Sequence, residues 1–289
     1  MKNTMKKPVN IPVEKLRPFA GHPFKVKDDE EMNTLIESVQ TQGILSPLIV
    51  RPIENTDEYE VISGHRRLHA AVKAGITEVP ALIYALDRDS AAIAVVDSNL
   101  HREHILPSEK AFAYKLKMEA LSHQGKRTDL TSTQPVSKLR TGDIVGETLN
   151  ESRETVRRFI RLTHLIPELL DLMDEGKIAL MVGEALSYLG DEEQYAVLEE
   201  CEMNDCTPSY AQAVEMKKRF QDRQLSAYDI GETLSREKAN QKETIKIPSA
   251  RLAGKIPSGY TLQQKEDFIV KSVDYYNKYR ARQHDRDSR

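Results

Sequence analysis

Apolar positions change their spacing part way along this chain of 289 residues. Up to about residue 105 stretches of period two and of helical period follow one another; beyond it only the helical spacing persists. Asp28 to Gln42 (DDEEMNTLIESVQTQ) puts Met32, Leu35, Ile36 and Val39 on one helical face. Acidic residues crowd its first turn, where the helix dipole favours them, and Gly43 stops it. Ile44 to Pro52 (ILSPLIVRP) reads as a short buried strand and Asn55 to Glu58 as a turn. Tyr59 to Ser63 (YEVIS) alternates as a strand does, Leu68 to Ala74 is helical with Gly75 as its C-cap, and Val79 to Ala85 (VPALIYA) is a further strand. Asp89 to Asn99 (DSAAIAVVDSN) reads as a helix, and Ile11 to Pro23 (IPVEKLRPFAGHP) as a short strand running into a loop. Residues 1–105 therefore predict an α+β domain of short elements.

From Pro107 onward the strand signal disappears. Pro107 to His123 opens on Pro-Ser-Glu and is rich in helix formers, whereas Ser122 to Gly142 is polar and broken by Pro and Gly, so part of it is expected to be loop. Asp143 to Leu149 and Ser152 to Leu162 predict two short helices joined through Asn150-Glu151. Pro167 to Asp174 and Ile178 to Leu189 continue an all-helical domain over residues 106–190. In residues 191–289, Asp191 to Asn204 and Pro208 to Arg223 predict helices. A polar connection covers about 235–259, and a final helix runs from Gln263 to Gln283 with Phe268, Ile269, Val273, Tyr276 and Tyr279 along it. That stripe either packs within its own domain or meets a second copy.

Composition adds exclusions. The chain is 39% hydrophobic and 30% charged, with a formal net charge of -3. No run approaches the 18 consecutive apolar residues of a membrane span, and MKNTMKKPVN is followed by no apolar signal segment. Cys201 and Cys206 make no disulfide framework, so a reducing cytoplasm is the expected compartment. The net charge argues against a uniformly basic nucleic-acid wrapper, yet leaves room for a basic face on one domain.

Two stretches carry candidate chemistry. In VISGHRRLHAAVKAG (Val61–Gly75) a strand ends in a glycine turn that opens a helix with His65, Arg66 and Arg67. Unpaired N–H groups and guanidinium forks at a helix start suit phosphate oxygens, and the dipole does not by itself favour arginine there. Read alone, the turn is either an anion site or two arginines directed at solvent or at nearby acids. The second stretch is TGDIVGETLNESRETVRRFIRLTHLIPELL. Ile144, Val145 and Leu149 face inward on its first helix, Ser152 can cap the next, and Val156, Phe159, Ile160 and Leu162 bury that helix. Arg153, Thr155, Arg157, Arg158 and Arg161 are left partly or wholly outward. This fits either a major-groove reader or any helical hairpin with a charged face. The spacings of His65/His69 and of His101/His104 come without an acidic or cysteine partner, so no dedicated zinc site is expected.

These residues carry a family resemblance. SGHRRLHAAVKAG resembles the Gly-x-Arg-Arg box of the ParB family of DNA partition proteins. LRPFAGHPFKVKDDEEMNTLIESVQTQGILSPLIVRP resembles that family's opening box, and DSNLHREHILPSEKAFAY its Glu-Asn-x-x-Arg box. Glu-Ser-Arg-x-x-Val-x-x-x-x-Arg-Leu with the following Ile-Pro-Glu-Leu resembles the family's helix-turn-helix. The likeness runs over roughly residues 11–190 and looks closest to the ParB/RepB-like proteins of plasmids and mobile elements.

It implies a ParB-like (sulfiredoxin-like) α+β nucleotide-binding domain over 1–105, a helix-turn-helix DNA-binding domain over 106–190, and a mainly helical, dimerising region over 191–289. By the same resemblance the ligand is CTP with Mg²⁺. Gly64, His65, Arg66 and Arg67 would cradle its phosphates, Arg102 would touch phosphate, and Asn99 would help hold the metal–triphosphate. Ser98 stands where the family has the acid associated with hydrolysis, which leaves turnover open. His22-Pro23-Phe24 replaces a usual Gln-Pro-Arg, with Lys25 or Lys27 as substitutes for the missing arginine.

For double-stranded DNA, Arg153, Glu154 and Arg157 are the candidate base readers on a helix capped by Ser152 and carrying Thr155. Lys126, Arg127, Lys138, Arg140, Arg158 and Arg161 are candidate phosphate contacts. The implied partners are a partition ATPase and a second copy of the chain, in the cytoplasm on the nucleoid or a plasmid. The competing expectations are a helix-turn-helix transcription regulator without nucleotide control and an enzyme. Sulfiredoxin chemistry needs a cysteine where His65 stands, and the sequence offers no acidic cluster for a nuclease.

Overall fold

The β-rich and helical halves meet the expectation that the change at residue 105 set up. The computed structural model describes residues 7–102, 104–128, 151–236, 247, 249–252, 254–257 and 259–287, which form two units, Met1–Arg236 and Glu237–Arg289. In the first unit five strands make one mixed sheet: β1 (Val9–Pro12), β2 (Leu16–Pro18), β3 (Leu48–Pro52), β4 (Tyr59–Ser63) and β5 (Glu78–Ile83). Their order is β1-β5-β3-β4-β2, with β3 antiparallel to β4 and parallel to β5. β2 pairs with β4 in parallel through Leu16 opposite Tyr59, and it arises from a segment whose prolines read as loop. A three-residue strand has too few alternating positions to register as a pattern, and its partner strand fixes it instead.

Strand alternation sorts side chains onto two faces. Leu48, Val50 and Val61 pack with Met32 and Val39 of α1 (Glu30–Gln42) and with Ala70 and Ala71 of α2 (His65–Lys73). Ile62 and Ile49 pack on the other face with Ala91 and Val95 of α3 (Arg88–Asn99). Each fully buried aliphatic side chain contributes about 1.5–3 kcal/mol. Asp29 caps α1 by accepting the N–H of Met32 at 2.8 Å.

The helices that follow are α4 (Pro107–Thr128), α5 (Arg153–Leu162), α6 (Pro167–Asp174), α7 (Leu180–Leu186), α8 (Asp191–Met203), α9 (Tyr210–Gln221) and α10 (Ala227–Ser235). α4 runs to Thr128, past the residue where a loop was expected. α10 lies where no helix was expected, and Ser226 and Asp229 form its capping box. Helices on both sides of residue 190 share one core, with Leu162, Leu169 and Leu186 packed beside Val197, Met216 and Ile230. The buried amide of Gln194 locks this region: its oxygen accepts the N–H of Ile166 at 2.8 Å, and its nitrogen donates to the carbonyls of His164 (3.0 Å) and Leu189 (3.1 Å).

The second unit holds α11 (Ser249–Leu252) and α12 (Leu262–Asp287). On α12, Val270, Val273, Tyr275 and Tyr276 are exposed. No helix among the described residues is long and apolar enough to cross a membrane.

Candidate functional site

The strand–glycine–helix turn is built as its sequence requires. β4 ends at Ser63, and Gly64 caps α2 in the left-handed region, at φ 106° and ψ 23°. A Cβ there would lie 3.1 Å from both Leu48 Cγ and Arg67 Nη2. Glycine is therefore needed for conformation and for space.

The two arginines then diverge. Arg66 enters a cleft of ≈ 540 Å³ that is also walled by Lys25, Lys27, Arg102 and His104, together with the acids Asp29, Glu31 and Glu109. There its Nη2 lies 3.2 Å from Glu31 Oε2 and 3.7 Å from Asp29 Oδ1. Arg67 is not on the wall. Its guanidinium donates to the carbonyls of Ser46 and of Pro47, the latter at 3.0 Å, and braces the segment entering β3. Gly64, His65 and Asn99 are likewise off the cleft wall.

His65 is held against His22, with ring centroids 3.7 Å apart. Burial above all, then the neighbouring His22 and Arg102, pulls the His65 imidazole down to about 3, against a bond to the Val61 backbone. The ring is neutral at physiological pH, and the backbone N–H of Phe19 points to its Nε2 at 3.5 Å. His22 is also lowered, mainly by burial, while its Nδ1 bonds the Phe24 carbonyl at 2.8 Å. Asn99 is buried and its Nδ2 donates to the Val95 carbonyl (2.8 Å) and to Ser98 Oγ (3.1 Å).

Phe24 explains itself once packed. Its ring is buried with Val96 and Ala113, and the Arg102 guanidinium lies 5.5 Å above it. The aromatic thus seats one of the cleft's cations. Burial lowers Arg102, with Glu109 opposing and Arg66 adding to the effect. The guanidinium stays charged all the same. Lys25 and Lys27, the expected substitutes, both reach the cleft.

Glu109 belongs to the Pro-Ser-Glu helix start that follows the third family box, and its sequence context assigns it no role at the site. It is buried at the start of α4, where its carboxylate accepts the N–H of Lys25 at 2.8 Å and of Leu106 at 3.1 Å. The Pro-Ser-Glu helix start was visible in sequence, but its tie to residue 25, across 84 positions, was not.

On α5, Ser152 caps the helix by accepting the N–H of Thr155 at 3.1 Å. Val156 and Leu162 are buried, and Arg153, Glu154 and Arg157 are exposed. Arg158 pairs with Glu184 at 3.4 Å, and Arg161 donates to the Ser187 carbonyl at 2.7 Å while lying 4.2 Å above the Tyr188 ring. Both therefore fasten α5 to α7 and its end. Glu151, just before the cap, is held by Lys110 of α4; burial first, and Glu151 second, push the pKa of the nearby Tyr114 hydroxyl upward. The expected first helix, Asp143–Leu149, and Lys138 and Arg140 lie outside the described residues, as do the side chains of Lys126 and Arg127.

The ParB N-terminal domain family matches residues 1–100. The chromosome-partitioning protein Spo0J of Thermus thermophilus is 34% identical over 193 residues, covering 66% of this chain and 64% of that protein. A nucleoid occlusion protein of Geobacillus thermodenitrificans is 32% identical over 186 residues, covering 64% of this chain and 59% of its own length. The chain thus spans less than two thirds of the length of these curated relatives. Among solved structures, C-terminally truncated ParB from Caulobacter crescentus complexed to the centromeric parS site is 22% identical. That match covers 78% of this chain and 98% of the other, with a TM-score of 0.41. Residues 1–100 therefore form a ParB N-terminal domain.

Proposed function

We propose that this chain is a DNA-partition protein that reads a centromere-like duplex site through α5 and binds CTP, as its Mg²⁺ complex, in the N-terminal cleft. The observation that carries the reading is the convergence of Arg66, Arg102, Lys25 and Lys27 on one open cleft beside the start of α2. Burial and the proximity of Arg66 disfavour the charge of Arg102 while Glu109 opposes them, and a polyanion would add to the carboxylates that already face these cations.

The donor set fits a triphosphate better than a bare metal. Four cations face three carboxylates in a volume suited to a small-molecule ligand. The described residues hold no group of three His, Cys, Asp or Glu side chains able to bind a metal. A divalent ion would therefore be carried by phosphate oxygens and water, since Asn99, the side chain expected to help hold it, is buried off the cleft wall. Arg66 and Arg102 would hold phosphate, and Arg67 would hold the glycine turn in shape. Bound nucleotide would supply the charge that satisfies these cations, and the chain's own residues orient it.

On α5, Arg153, Glu154 and Arg157 are the proposed base readers, with Lys138 and Arg140 as phosphate contacts. The exposed tyrosines and valines of α12 supply the proposed dimer contact, and a partition ATPase is the proposed protein partner. Cytoplasmic, nucleoid- or plasmid-associated action follows from the same reading, and the plasmid or mobile-element assignment rests on the sequence resemblance.

The test is calorimetric titration with Mg²⁺ and each nucleoside triphosphate, alongside genomic DNA capture and sequencing with and without CTP. Saturable CTP binding and a narrow site from which CTP drives spreading support the reading. Site-specific DNA binding without any nucleotide binding would sink the switch. A second reading, a transcription regulator without nucleotide control, draws on Arg67 being committed to backbone carbonyls and on Ser98 standing in place of an acid. Promoter-scattered sites indifferent to CTP would favour it.

A further inference from the structure

We infer that Lys25 is a latch joining the anion cleft to the helix behind the DNA reader, and that an anion bound in the cleft opens it by taking the lysine from Asp171. The inference rests on the cleft being the triphosphate site and concerns how that site is regulated.

Lys25 has two attachments of different kinds. Its backbone N–H is fixed by the buried Glu109 carboxylate at 2.8 Å, so the residue stays at the cleft whatever its side chain does. From the cleft wall its ammonium reaches α6, 3.2 Å from Asp171 Oδ1 and 3.6 Å from Asp174 Oδ2. The two carboxylates differ in how firmly they are held. Asp174 is nearly buried, accepting the N–H of Ser108 at 2.9 Å and its hydroxyl at 2.5 Å, and it anchors that end of α6 to the start of α4. Asp171 lies one turn earlier, its side chain 62% exposed, with Lys25 as its partner. α6 itself follows α5 after only four residues, 163–166.

Arg66 shares the same wall, but its partners Glu31 and Asp29 sit on and beside α1 and pass nothing toward the reading helix. Lys25 does. An exposed lysine–aspartate pair is weak enough for a triphosphate to displace, so occupancy of the cleft trades Asp171 for phosphate. Asp174 keeps its hold through Ser108, so α6 pivots rather than detaches. By reciprocity, whatever tightens α6 against Lys25 weakens the anion, and whatever releases α6 strengthens it.

The test is a double-mutant cycle on the full chain, read by calorimetric titration of Mg²⁺-CTP. D171N removes the closer of the two charges that hold Lys25, leaving only the longer contact with Asp174, and should bind about two- to fivefold tighter than wild type, the range set by an exposed ion pair. In a K25M background the same D171N change should have no effect, because the lysine it frees is gone. In wild type, amide exchange over residues 167–174 should quicken when CTP is added. If wild type binds CTP but D171N binds equally or less tightly, the latch is overturned while the cleft reading stands. Equal tightening by D171N with and without Lys25 also overturns the latch, since it shows a general charge effect. If neither wild type nor D171N binds CTP, the cleft reading fails and the latch fails with it.

Discussion

Arg66 and Arg67 are adjacent in sequence yet face opposite duties, since Arg66 lines the cleft 3.2 Å from Glu31 and Arg67 turns to the Pro47 carbonyl at 3.0 Å. Successive residues in the first turn of a helix point about 100° apart, so one can face a ligand while the other faces the fold.

The two should separate cleanly on mutation. R66A is expected to lower CTP affinity by about tenfold or more, the loss of a charge-assisted contact, with stability within about 0.5 kcal/mol of wild type. R67A is expected to lower stability by about 1–3 kcal/mol, because two carbonyls lose their donor. Titration calorimetry and urea denaturation of both variants check this, and equal effects of the two on nucleotide affinity would show that the division does not exist.

Gly64 should not tolerate a side chain. With φ at 106° and only 3.1 Å to Leu48 Cγ, alanine combines backbone strain with a clash against the core. G64A is expected to cost about 1–3 kcal/mol of folding stability, measured by chemical denaturation.

The stacked histidines predict a pH dependence of stability. His65 is held down to about 3, while an unfolded histidine titrates near 6.5. Above about pH 6.5 both states are neutral and the full stability is present. Below it the unfolded chain takes up a proton that the folded chain refuses. Stability therefore falls as pH drops from about 6.5 toward about 3, by up to about 1.4 kcal/mol per pH unit from this ring. His22, also lowered, acts in the same direction. H65Q should flatten the slope measured by denaturation between about pH 7 and pH 4.5; an unchanged slope would place the dependence elsewhere.

On α5, R157A should reduce affinity for the cognate site by about 1–3 kcal/mol, roughly five- to 150-fold, and leave the melting temperature alone. R161A should instead lower stability by about 1–2 kcal/mol through loss of the bond to the Ser187 carbonyl and of the contact with Tyr188. Electrophoretic shift assays and thermal denaturation of each variant distinguish the roles.

Much of the architecture follows from local rules that can be applied along the chain. Tyr59–Ser63 alternates because one face of its sheet meets α1 and α2 and the other meets α3, so period two is imposed by burial. Pro167–Asp174 begins at a proline, which fits the first helical position, and Ser152 and Asp29 cap the helices they precede. The glycine at 64 announces its own turn. These features depend on neighbours within a few residues, so the sequence by itself determined them.

Tertiary structure decided the rest. β2 exists because β4 offers it a partner, and Phe24 seats Arg102 because α3 and α4 close over its ring. Whether Arg158 and Arg161 face DNA or α7 is invisible to periodicity, since Glu184 and Ser187 come from another helix and its end. The link from Lys25 to Glu109 and Asp171 spans 84 and 146 positions. No local propensity encodes a contact between residues that far apart. It appears only once the core has brought their backbones together, and that is why the cleft's tie to α6 had to wait for the fold.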